Sequence, residues 1–122
     1  MNNGTKVKLT ARQSEALRDV LYVTLMAFEA DTGHVQLLQT IAWEVQHKVK
    51  VALVAHENQG THMLGMTDST ALGLCQYFQW LSGFHKAGPY EATVMRMISD
   101  KVTESLTNKT QLKYARIGAG EL

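Results

Sequence analysis

Apolar positions recur with a helical period over four stretches of the chain. Between about Ala11 and Ala30, the side chains of Leu17, Val20, Leu21, Thr24 and Phe28 share one face at about 100° per residue. Arg12, Glu15, Asp19 and Glu29 gather on the opposite face. Thr10 followed by Gln13 has the spacing of a capping box, in which each side chain satisfies an orphan backbone N–H of the other, so a helix is predicted to start at Ala11. Gly33 supplies its stop. From about His34 to Asn58, Leu38, Ile41, Ala42, Val45, Val49, Ala52 and Leu53 form one stripe. Within it VKVALVA (Val49 to Ala55) is rich in β-branched residues and by itself reads equally as a strand, but the unbroken helical stripe favours helix.

GTHMLGM (Gly60 to Met66) reads as a loop. A third helix is predicted over Asp68 to Ser82, with Thr67 as N-cap, Gly83 as stop, and Ala71, Leu74, Cys75, Phe78 and Leu81 as its apolar face. Pro89, placed after the Gly88 break, suits a first helical turn and opens a fourth segment to about Thr107, lined by Val94, Ile98, Val102 and Leu106 and flanked by Met95. The period weakens from Asn108 onward, and no internal repeat is read. The pattern predicts an all-α fold: a four-helix antiparallel bundle with a long N-terminal helical hairpin and two shorter helices. Residues 1–122 are expected to form a single domain, with 1–9 and 109–122 as flexible or partner-ordered ends.

Composition narrows the function classes. A chain of 122 residues with 45% hydrophobic content and one proline can bury a core without metals or disulfides. Lys and Arg number 12 against 11 Asp and Glu, so no global field draws the chain toward nucleic acid or an anionic membrane. Cys75 is the single cysteine, which excludes an intrachain disulfide and fits a reducing compartment. MNNGTKVK lacks the apolar segment of a secretory signal, and the uncharged run Ser69 to His85 is too polar to span a bilayer. A cytoplasmic protein without membrane contact is expected.

Leu9-Thr10-Ala11-Arg12-Gln13, continued by Leu17 and Leu21, resembles the opening of LuxR-type DNA-binding domains over about a dozen residues. In that family the first helix ends quickly and a glycine-containing turn leads into two short helices. Here the apolar period runs on through Phe28, so the stretch is read as a helix N-terminus and no family is assigned.

Candidate chemistry is sparse. Glu44 and His47 have the E-x-x-H spacing of ferritin-like di-metal sites, but the motif occurs once and points away from the apolar stripe, as a surface pair does. His56, Glu57 and His62 supply imidazole and carboxylate near the end of the second helix without the spacing of a known zinc motif. GFHKAGP (Gly83 to Pro89) is the most suggestive loop: His85, Lys86 and the following helix N-terminus are possible anion-binding groups, although the connection also serves simply to end one helix and start the next. Cys75 lies on a predicted apolar face, where a thiol behaves as a small hydrophobe. No catalytic constellation, metal or cofactor is assigned, and the balance leans away from an enzyme. Lys6, Lys8 and Arg12 at one end and Lys109, Lys113 and Arg116 at the other are possible nucleic-acid contacts, with Tyr114 available to stack on a base.

The bulky rings fall off the stripes. Trp80 is expected opposite the third helix's core face and Tyr77 on its flank, Trp43 away from the second stripe beside His47 and Val54, and Tyr22 and Met26 among the charges of the first helix. Several such side chains on different helices point to a second buried surface. The sequence therefore predicts a small non-catalytic helical protein acting through protein–protein interaction, as a self-associating regulator, adaptor or inhibitor. Its first partner would be itself, as a homodimer, with another protein as a further partner. The alternative is a nucleic-acid-binding regulator using the basic ends, and the third reading is a metal- or anion-dependent enzyme.

Overall fold

The computed structural model describes residues 4–57, 59–83 and 85–121, with side chains described as far as Thr110. It corrects the all-α bundle: the elements run β1 (Thr5–Thr10), α1 (Ala11–Ala27), α2 (Gly33–Ala55), β2 (Thr61–Met66), α3 (Asp68–Ser82) and α4 (Pro89–Glu121). The protein is mostly helical but carries a two-stranded antiparallel sheet, with Thr5 opposite Met66, Val7 opposite Leu64 and Leu9 opposite His62. Both strands lie in segments expected to be an N-terminal end and a loop. The fourth helix, expected to be short, is the longest at 33 residues.

Period-two alternation explains the strands. Thr5, Val7 and Leu9 are buried while Lys6, Lys8 and Thr10 are exposed; His62, Leu64 and Met66 are buried on the partner strand. A two-stranded ribbon of this length is not stable alone, so its inner face depends on the helices that cover it. Their contribution to the common core includes Leu17, Leu21, Leu38, Val45, Leu74 and Ile98.

The chain is two β-α-α units in tandem. Val7-Lys8-Leu9-Thr10 and Leu64-Gly65-Met66-Thr67 occupy matching positions: two inward apolar residues, then a threonine that caps the following helix. The Thr10–Gln13 capping box forms with both of its bonds, and Thr67 Oγ1 accepts from the Thr70 N–H. Each unit packs on the other, α2 against α3 and α1 against α4, besides the contacts inside each hairpin. The α2–α3 contact is close at Gly73, where a Cβ would stand 2.5 Å from Ile41 Cδ1. Gly33, expected to end the first helix, instead begins α2 behind the N-cap Thr32, and α1 closes earlier at Phe28. Val49 to Ala55 is helical, as the stripe requires.

Lysines guard the ribbon's flanks. Lys48 Nζ donates to the Gly65 carbonyl at 2.7 Å. Lys109 Nζ donates to the Gly4 carbonyl at 3.0 Å and to Asp68 Oδ1 at 2.7 Å, and Thr5 Oγ1 donates to the same carboxylate. The Lys109 bond comes first among the causes that hold Asp68 below the usual carboxylate pKa. This cluster joins β1, α3 and α4, and a charged group on each flank also discourages pairing with another strand.

Candidate functional site

The α1–α2 hairpin leaves a group of large apolar side chains uncovered. Tyr22 and Met26 lie one turn apart on α1 and are 50% and 64% exposed; Trp43 on α2 is 37% exposed. The Tyr22 and Trp43 rings meet edge to face with centroids 6.2 Å apart. That geometry fixes both rings against each other at the seam of the two helices and leaves their outer surfaces to solvent. His47, Lys50 and Val54 follow Trp43 along the same side of α2, and Val54 is also exposed.

The other two rings expected on this surface are placed elsewhere. Tyr77 is fully buried, a correction to its expected position on a flank. Its hydroxyl lies 2.8 Å from Thr24 Oγ1, which donates in turn to the Val20 carbonyl at 2.8 Å. The bond supplies the partner that a buried phenol requires: α3 packs against α2 and α4, and the ring reaches through that packing to Thr24 on α1. Burial raises the Tyr77 pKa, with the Thr24 bond opposing. Trp80 is half-buried: it packs edge to face on Phe28 at 6.4 Å and against Tyr77 at 5.7 Å.

Three further clusters take definite shapes. His56 and His62 stack nearly parallel, 5.5 Å apart at 11°, and His62 Nε2 lies 3.1 Å from Ser14 Oγ in the core. Burial, then the neighbouring His56, lowers the His62 pKa. Among the described residues no group of three or more His, Cys, Asp or Glu is placed to hold a metal ion. Glu44 and His47 are both exposed on α2. Cys75 is half-buried, and burial pushes its thiol above the usual value, against a hydrogen bond with Ser99. An elevated thiol pKa makes a poor nucleophile at neutral pH.

The basic ends partly converge. Lys6 and Lys8 point outward from β1, and Lys109 reaches Gly4 at the same end of the sheet. Two of these cations are engaged within the chain, Lys109 with Asp68 and Arg12 over the Tyr90 ring at 4.5 Å. The side chains of Lys113, Tyr114 and Arg116 lie outside the described residues.

His85 and Lys86 line a groove between the end of α3 and the first turns of α4, and the structure adds Arg96, Ser82 and Ser99 to them. Sequence reasoning missed those three because they come from different helices. The Arg96 guanidinium lies ten positions beyond Lys86 and joins it only through the α3–α4 turn.

No described helix is long and apolar enough to cross a membrane. Comparison of the chain with family models, with curated proteins and with solved structures found no match.

Proposed function

We propose that the protein acts by protein–protein contact through the outer side of the α1–α2 hairpin, with a second copy of the chain as its partner. The observation that carries this reading is the exposed Tyr22–Trp43 pair with Met26 beside it. Tyr, Trp and Met are the residue types enriched at interface centres, and rings already fixed against each other lose little freedom on association. Covering one exposed indole contributes about 2–3 kcal/mol, so a two-fold contact that counts each residue twice gathers a useful fraction of a dimer's free energy. Tyr77 is no part of this surface, and Trp80 is half-buried against Phe28 and Tyr77. The nucleic-acid reading is weaker because Arg12 and Lys109 already have partners within the chain.

Light scattering on the full chain tests the proposal. The wild type is expected to run as a dimer at micromolar concentration. The double variant Met26→Lys/Trp43→Ser is expected to shift toward the monomer mass with unchanged helical circular dichroism. A wild-type chain that is monomeric across that range, or a variant with undiminished mass, removes the reading.

A further inference from the structure

The groove between α3 and α4 has a chemistry that the hairpin face does not share. It encloses about 450 Å³ and is open on one side. Phe78, Leu81 and Met95 supply an apolar floor, and Ala87 and Ala92 keep its end shallow. Around this floor stand Lys86, Arg96 and the imidazole of His85, with the hydroxyls of Ser82 and Ser99 and the amide of Gln79. Among the described residues that line it there is no aspartate or glutamate. Neither Lys86 nor Arg96 has an ion-pair partner among the described residues, and both side chains are exposed.

Lys86 and Arg96 reach the groove from the α3–α4 connection and from α4. The His85 N–H donates to the Leu81 carbonyl at 2.8 Å, and the His85 ring packs edge to face on Phe28 at 5.9 Å. These contacts tie His85, the residue before Lys86, to α3 and to the end of α1. Arg96 lines the same groove from α4, one turn before Ser99. The ammonium and the guanidinium fork are the free donors above a surface that water solvates poorly, since Ser82 Oγ already donates to the Gln79 carbonyl at 2.7 Å and Ser99 bonds Cys75. A volume of this size suits a small molecule rather than a peptide segment.

We propose that this groove binds a small amphipathic anion, with a carboxylate or phosphate head between Lys86 and Arg96 and an alkyl body on Phe78, Leu81 and Met95. Arg96 takes the head through its guanidinium fork and Lys86 adds a point charge. Both parts of the ligand are needed. The head alone competes with water at an exposed site, and the body alone leaves the cations without a counter-charge.

Isothermal titration of the full chain separates these contributions. The probes are octanoate, octyl phosphate, octan-1-ol and inorganic phosphate. One or both amphipathic anions are expected to bind at millimolar concentration or below, and the tighter of the two identifies the head group. Octan-1-ol and inorganic phosphate are each expected to bind about tenfold more weakly or not at all. Lys86→Met/Arg96→Met keeps the apolar length of both side chains and should weaken the preferred anion about tenfold or more, with unchanged helicity. Equal affinity for the alcohol and the anions, an unaffected variant, or no binding of either amphipathic anion overturns the proposal. None of these readouts depends on whether the chain dimerises through α1–α2.

Discussion

Gly73→Ala probes the seam between the two β-α-α units and separates two opposing effects. Replacing a helical glycine with alanine should stabilise α3 by about 1 kcal/mol through backbone entropy. At this position the new methyl would meet Ile41 Cδ1 at 2.5 Å, Cγ2 at 3.1 Å and Cβ at 3.5 Å. Cδ1 is the main obstacle: the stiff χ1 of this β-branched side chain leaves it only a χ2 rotation to escape by, whereas Cγ2 need give by only a few tenths of an ångström. Overpacking of this kind costs about 1–3 kcal/mol, so the substitution is expected to destabilise the wild type by about 1 kcal/mol net. Ile41→Val removes the atom that clashes most, at its own cost of about 0.5–1.5 kcal/mol. In that background Gly73→Ala should become neutral or stabilising, which gives a coupling of about 1–2 kcal/mol. Urea unfolding followed by helical circular dichroism, on wild type, both single variants and the double variant at one protein concentration, measures it. If Gly73→Ala changes stability equally in both backgrounds, within about 0.3 kcal/mol, the close α2–α3 contact does not govern this site.

Two further outcomes follow from the buried polar groups. Tyr77→Phe removes one hydrogen bond but leaves Thr24 bonded to backbone, so it should cost about 1 kcal/mol, whereas Thr24→Val strands the buried phenol and should cost about 2 kcal/mol; thermal unfolding that ranks the two in the opposite order contradicts the assigned bond. His62 is held below the usual imidazole pKa by burial and then by His56, so the folded state takes up its proton less readily than the unfolded chain. Stability should therefore fall as pH drops through the usual imidazole range, flattening once the pH passes below the folded value. Urea midpoints from about pH 8 to pH 5 should show a shallower slope for His62→Gln than for wild type, and parallel slopes would refute the role of this residue.

Local signals determined much of the fold. The Thr10–Gln13 and Thr67 caps, the Asp68–Ser82 helix and the helical state of Val49 to Ala55 were all legible, because caps and a sustained 3.6-residue period act within a few residues of each other. The strands were not, although their alternation is visible once they are paired. KVKLT and HMLGM are too short to persist alone, and each is a strand only because the other, distant in sequence, completes its ladder over a helical core. The same absence of local signal hid the tandem β-α-α arrangement.

The candidate sites divide along the same line. Sequence period turned Tyr22, Met26 and Trp43 outward, and they are outward, since a residue opposite its own helix's core stripe is exposed unless another element arrives to cover it. For Tyr77 another element did arrive. Packing of α3 against α2 and α4 buried the ring and brought its hydroxyl to Thr24 of α1, a decision taken by the relation between helices and written in no single helix. The grouping of Arg96 with Lys86, and the pairing of Lys109 with Asp68, have that same origin: charge chemistry is specified residue by residue, but which charges meet is fixed only when the chain closes on itself.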